Sequence, residues 1–141
     1  MSKGNFVGFQ QKVEIPEGFE LLEIDDEIES SLGKDELFSL LSKSESLSLW
    51  FYIVSKLDLR SGGKIDFINA NGATSQAVCT SISFGKEISM LADEFGNFKA
   101  RVTKSKSNFK IELNFKILTD DSDAKSKEIL PLISKLKLLV S

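Results

Sequence analysis

Asp26 and Tyr52 are the side chains of this sequence whose types and placement point most directly to proton transfer. Asp26 interrupts the apolar side of an alternating stretch, in which Leu22, Ile24 and Ile28 stand against Glu23, Asp25, Glu27 and Glu29. Desolvation there would raise a carboxyl pKa and make it a base, and Tyr52 could give a proton to a developing enolate, as in cyclases and isomerases. The structural alternative is that Asp26 lies near a strand end and reaches water or a backbone amide. Nothing in the spacing brings the two residues together.

Other chemistries are narrowed by composition. The chain has no histidine, which removes the usual base of nucleophilic triads and the commonest ligand of zinc, copper and iron. Cys79 stands alone, so an internal disulfide and a thiolate cluster are both excluded, and the thiol is expected to pack as a small apolar group. The acidic run from Glu23 to Glu29 lacks a loop glycine to fold its oxygens around calcium or magnesium, and neighbouring strand residues point to opposite faces. No metal site and no cofactor is expected. Gly62-Gly63-Lys64 is not a phosphate-binding loop, because Ile65 stands where Ser or Thr would meet magnesium and the earlier glycine is missing. Arg60, beside those glycines, reads as a solvated turn residue with Asp58 or Asp66 as a weak partner. With a formal charge of -3 and only Arg60 and Arg101 as arginines, the chain lacks a nucleic-acid surface.

The elements that must position any site follow from periodicity. The 141 residues suit one domain. Residues 1–18, with Gly4, Gly8, Pro16 and Gly18, read as an N-terminal extension, and the domain as residues 19–141. Glu20 to Glu29 alternates as a half-buried strand. Leu37, Phe38, Leu40 and Leu41 recur at helical spacing behind Asp35 and Glu36, which suit the positive end of a helix dipole, and a second helical turn runs through Leu47, Leu49 and Trp50.

Strand and turn signals then repeat over Ile53 to Leu59, Lys64 to Ile68, Ser75 to Phe84, Glu87 to Asp93, Phe98 to Lys104 and Phe109 to Leu118, an antiparallel meander. The last is the plainest, Phe109, Ile111, Leu113, Phe115 and Ile117 alternating with Lys110, Glu112, Asn114 and Lys116. A final helix carries Ile129, Leu132, Ile133, Leu136 and Val140, with Ser122 or Asp123 as N-cap and a bend or late start expected at Pro131. The fold class is α+β: a seven-stranded curved antiparallel sheet, two short helices after the first strand, and a long C-terminal helix on the concave face.

This order, with Leu37-Phe38, Leu49-Trp50-Phe51 and Leu57-Asp58-Leu59-Arg60-Ser61-Gly62-Gly63-Lys64, resembles the START-like or SRPBCC superfamily with its helix-grip fold, also seen in the birch-pollen allergen. Within it the likeness is greatest to bacterial relatives of the activators of the heat-shock chaperone ATPase, over about Glu20 to Val140. The resemblance implies an apolar cavity between sheet and last helix, often for lipids, sterols, polyketides or aromatic metabolites. It departs at Ser30-Ser31-Leu32-Gly33, where an Ala-Pro-type break is usual, and at Pro131 in the gripping helix. It also makes the first and last strands neighbours, so that the acidic first strand would pair with the lysines of the last.

Three functions of different class follow. The leading one is a binding module for a small hydrophobic molecule, lined by Trp50, Phe67, Met90, Val102, Phe115 and Ile133. The same residues would equally close over one another, with Trp50 plugging the junction of helices and sheet. The second is a protein-interaction module of the chaperone-activator type, and the third a small cyclase or isomerase using Asp26 and Tyr52. No integral membrane segment is visible, and a cytoplasmic location is expected.

Overall fold

In a computed structural model of the chain, described here for residues 15–141, the elements appear in the expected order. They are β1 (Glu20–Ser30), α1 (Lys34–Ser42), α2 (Ser44–Leu47), β2 (Ile53–Leu57), β3 (Lys64–Ile68), β4 (Thr74–Ser83), β5 (Glu87–Ala92), β6 (Gly96–Ser105), β7 (Asn108–Thr119) and α3 (Ser122–Val140). Most of the proposed N-terminal extension lies outside the described residues; the part within them makes a turn, Phe19 N–H donating to Pro16 O at 3.0 Å, before β1 begins.

All seven strands form one antiparallel sheet in the order β1-β7-β6-β5-β4-β3-β2. The meander supplies the β2-to-β7 order, and β1 closes onto β7 with Ile24 opposite Phe115 and Ile28 opposite Ile111. A one-residue slip would turn every apolar side chain of β7 to solvent, so the alternation fixes this register. Along β1 and β7 the outward positions are charged or amide-bearing over most of their length, and Lys110 Nζ reaches Glu27 Oε1 at 3.0 Å. The acidic first strand and basic last strand are therefore paired as neighbours.

α3 lies over the inward face, with Ile129, Leu132, Ile133, Leu136 and Val140 all buried in the core. Its N-cap is Asp121, whose carboxylate accepts from Ala124 N–H at 3.0 Å, one residue before Ser122 and two before Asp123, the caps expected from sequence. Thr119 Oγ1 accepts the Asp121 N–H at 3.1 Å and so sets the earlier start. Pro131 sits inside a helix that is continuous from Ser122 to Val140, on its exposed side. Solvent can satisfy the carbonyl that proline leaves without its donor. The far end is tied down by Ser30 Oγ, which donates to Val140 O at 2.7 Å.

α1 packs against β5, β6 and β7 through Leu37, Phe38 and Leu41. Glu36 accepts from Gly33 N–H at 3.1 Å, so the first-turn acid both caps the helix and complements its dipole. α2 ends at Leu47, earlier than the stretch through Trp50 read from sequence; Leu49 is exposed while Trp50 is buried. Gly63 and Gly96 are set by crowding: a Cβ on Gly63 would stand 2.1 Å from Asp58 O, and one on Gly96, where φ is 68°, 2.1 Å from Lys116 O.

Candidate functional site

The residues expected to line a cavity do come together. Trp50, Phe67, Met90, Val102, Phe115 and Ile133 are all buried, and none is more than 5% exposed. What stands between them is other side chains. Phe51, Tyr52, Phe95 and Phe98 join Trp50, Phe67 and Phe115 in one connected ring cluster, with centroids 4.6 Å apart for Phe98 and Phe115, 5.1 Å for the stacked Phe51 and Phe98, and 5.4 Å for Phe67 and Phe95. Such edge-to-face and offset contacts add about 0.5–1.5 kcal/mol per pair to area burial. Trp50 is anchored further by its indole N–H, which donates to Leu40 O at 2.9 Å. Its place is at the junction of the short helices and the sheet.

Phe95 is the least visible member of this cluster in the sequence, where Glu94-Phe95-Gly96-Asn97 reads as a turn between two strands. It is fully buried. The signal was the large aromatic beside a glycine: the positive φ of Gly96 lets the chain reverse while Phe95 points inward.

A polar belt closes one end of the ring cluster. Tyr52 O–H donates to Glu128 Oε2 of α3, and Lys125 Nζ donates to Glu128 Oε1 at 3.2 Å and to Glu94 O at 2.7 Å. Ser75 O–H donates to Glu94 Oε2, with Asn69 Nδ2 at 3.4 Å from the same oxygen. Burial, followed by the Glu128 carboxylate, pushes the Tyr52 phenol far above its ordinary value. Burial also pushes Glu94 up, but the hydrogen bonds from Ser75, its own backbone and Asn69, with the Lys125 charge, outweigh it and leave Glu94 below the usual range. Asn69, Asp93, Glu94, Lys125 and Glu128 line an open groove of about 320 Å³ here. None of these partners was singled out from sequence, because they come from separate loops and from α3.

Asp26 and Tyr52 are held by different parts of α3. Asp26 Oδ2 lies 3.0 Å from Lys137 Nζ, and its Oδ1 accepts the Glu27 N–H at 2.8 Å. Glu128 and Lys137 are nine residues apart on the same helix, about 13 Å along its axis. The structure therefore gives the two residues separate partners and does not assemble a proton-transfer pair from them. Cys79 is buried, and burial raises its thiol above the ordinary value. Among the described residues no cluster of His, Cys, Asp or Glu could hold a metal ion. No helix among them is long and apolar enough to cross a membrane.

The outer face of the sheet carries a groove of about 570 Å³, lined chiefly by Asp25, Glu27, Lys99, Arg101, Glu112 and Asn114. Its charges are interlaced. Arg101 Nε lies 2.5 Å from Glu112 Oε1, Lys110 Nζ 3.4 Å from Glu112 Oε2, and Lys99 Nζ 3.7 Å from Glu87 Oε2. The Arg101 hydrogen bond, aided by Lys110, holds Glu112 below the usual carboxylate range despite partial burial. Ser89, directly across from Lys99, is buried with its hydroxyl unpaired. Beside this charged field, Val78 and Leu91 face each other across β4 and β5, 40% and 50% exposed. Arg60 stays in its turn, 3.0 Å from Asp58.

No protein-family model and no curated protein matches this sequence. Solved structures match in fold. A protein from Nitrosomonas europaea shares 15% identity at a TM-score of 0.66, covering 91% of this chain and 97% of that one. An AHSA1-like protein from Aeromonas hydrophila shares 14% at 0.68, covering 84% and 92%. The Aha1 dimer from Colwellia psychrerythraea shares 14% at 0.64, covering 84% and 96%. With one curved antiparallel sheet closed around a C-terminal helix, this chain has a helix-grip fold, the same fold as these solved structures.

Proposed function

We propose that this chain is a protein-interaction module of the chaperone-ATPase-activator type, working through the outer face of its sheet. The observation that carries this reading is the occupied interior: where a small apolar guest would lie, Phe51, Phe95 and Phe98 already fill the space between Phe67, Phe115 and Trp50. A site for such a guest would normally be concave, apolar and largely preformed. The outer face instead offers charges of both signs around an open groove, bordered by the exposed Val78 and Leu91 pair. Complementary charge of this kind sets the encounter rate and orientation of a protein partner, with exposed apolar groups at the contact. The AHSA1-like and Aha1 structures of the same fold support the choice of partner. The buried free thiol of Cys79 agrees with a reducing, cytoplasmic setting.

The test is calorimetric titration of the chain into a purified heat-shock chaperone ATPase, with the ATPase rate followed in parallel. Binding that weakens by about tenfold in Lys99→Glu/Arg101→Glu supports the reading. Absence of binding at low ionic strength, or binding indifferent to that variant, contradicts it.

The second reading is a small hydrophobic ligand held between sheet and α3 beside Trp50, Phe67, Met90, Val102, Phe115 and Ile133. One observation favours it: the polar belt of Tyr52, Glu94, Lys125 and Glu128 closes one end of the ring cluster and would form a mouth if α3 moved away. Entry would require the rings to rearrange.

A further inference from the structure

β1 stands at one end of the strand order, and among the described residues β7 is its one ladder partner. Backbone hydrogen-bonding groups alternate from one edge of a strand to the other, so one set of β1 residues must face away from β7. Two bonds identify that set. Phe19 N–H donates to Pro16 O at 3.0 Å, and Glu27 N–H to the carboxylate of Asp26, Oδ1, at 2.8 Å, so neither enters the β7 ladder. The registers agree. Val102 N–H donates to Lys86 O on the β5 side, so Arg101 turns to β7, Glu112 opposite it to β6, Ile111 to β1, and Ile28 opposite that to β7. Leu22 and Ile24 share the parity of Ile28, which leaves the N–H and C=O groups of Leu21, Glu23 and Asp25 on the open edge. The Asp26 carboxylate ends this open stretch at Glu27.

The inner side of the same edge is apolar and only half covered. Leu22 and Ile24 are half-buried, whereas Ile28, farther along β1, is buried. Lys137 of α3 reaches Asp26, so that side of the helix faces β1. Leu130 lies seven residues before Lys137, about two turns, and therefore on the same side; it is 51% exposed. The chain comes to this edge by reversing direction. Gly18, at φ 83°, completes the turn from Pro16 to Phe19 and delivers the preceding residues antiparallel to β1. Continuing the Pro16–Phe19 pair sets Glu14 opposite Leu21, Lys12 opposite Glu23 and Gln10 opposite Asp25, the residues whose backbone groups stand open. Residues 9–15 carry the alternation of a half-buried strand, with Phe9, Val13 and Ile15 on one parity, Gln11 interrupting it, and Gln10, Lys12 and Glu14 on the other.

We propose that the β1 edge is a strand-accepting site and that residues 9–15 of this chain occupy it, paired antiparallel with residues 20–26 as an eighth strand. Main-chain bonds at Leu21, Glu23 and Asp25 hold the segment, as in other strand additions to a sheet edge. Val13 covers Leu22 on the inner face, Phe9 reaches the half-covered side of α3 at Leu130, and on the outer face Lys12 stands opposite Glu23, a charge pair that fixes the register. The filled edge no longer offers a template to the strand of a second copy. It also places Gln10 beside Asp25, at the border of the outer groove.

The experiment is amide hydrogen exchange and nuclear Overhauser spectroscopy on the full isotope-labelled chain. Leu21, Glu23 and Asp25 should exchange slowly, with cross-strand Hα contacts from Val13 to Leu22 and from Gln11 to Ile24, the pairs whose Cα atoms approach most closely in an antiparallel ladder. Lys12→Pro removes the N–H that pairs with Glu23 O and should lower protection at those three amides about tenfold. Leu22 and Ile24, whose N–H groups face β7, should keep theirs and report that the domain remains folded. Lys12→Glu keeps the backbone donor but sets like charges opposite one another, and should lower the same protection about threefold. Fast exchange at the three edge amides of the parent, or protection indifferent to both variants, would overturn the assignment. So would Val13-to-Leu22 contacts that run between copies in a mixed sample of labelled and unlabelled chain.

Discussion

The phenol of Tyr52 donates a hydrogen bond to Glu128, and through it the ring cluster is tied to the first half of α3. The tie has a consequence at the alkaline end of the pH scale. Its folded pKa is raised, so its contribution is fully present below the unfolded value, about 10, and is lost as pH rises beyond it. Tyr52→Phe should lower stability by about 1.5–3 kcal/mol, the range for hydrogen bonds to charged groups, and flatten the alkaline limb of a stability profile. Urea denaturation of both proteins between neutral and alkaline pH checks this; an equally steep alkaline limb in the variant would assign the loss to another group.

At acid pH the sign reverses. Glu112 and Glu94 are both held below the ordinary carboxylate value, Glu112 mainly by Arg101 and Glu94 by Ser75, its own backbone and Asn69 against the effect of burial. A depressed carboxyl contributes stability above its unfolded pKa, about 4.3, and that contribution is lost as pH falls through the folded value. Glu112→Gln and Glu94→Gln should each be less stable than the parent at neutral pH and converge on it below about pH 4. Denaturant midpoints measured across that range give the answer directly.

The occupied interior makes its own prediction. Phe98 touches the rings of Trp50, Phe51, Phe95 and Phe115, so Phe98→Ala should cost about 3–5 kcal/mol and open a void. Native mass spectrometry of the gently purified parent should give the mass of the bare chain, while the variant, if folded, should take up a small apolar probe such as benzene and be stabilised by it. A stoichiometric small-molecule adduct on the parent would instead favour the ligand reading.

These contrasts follow the information carried by particular residues. The alternation of Phe109 to Ile117 placed β7 and its inward face without ambiguity, and the resemblance correctly set β1 beside it. Strand ends shifted by a residue or two, as at Leu57, where Asp58 N–H bonds back to Lys64 O and Arg60 N–H to Asp58 O, ending the strand before Leu59. The inward faces of Phe67, Met90, Val102 and Phe115 were legible, but whether they enclose space was not, because that depends on Phe95 and Phe98 arriving from other segments. Likewise Asp26 was placed on the apolar side by its period, yet its partner Lys137 lies on α3, far along the chain. Period reports which face a residue takes; it carries no information on what the opposite layer brings to it.

The most direct test of the central claim is where a partner touches the molecule. Amide chemical-shift mapping with the heat-shock chaperone ATPase should perturb outward positions such as Asp25, Leu91, Lys99, Arg101 and Glu112, with binding that weakens as salt rises. Perturbations confined to the α3 side and the interior, at Met90, Phe115 and Ile133, with the outer face silent, would contradict it.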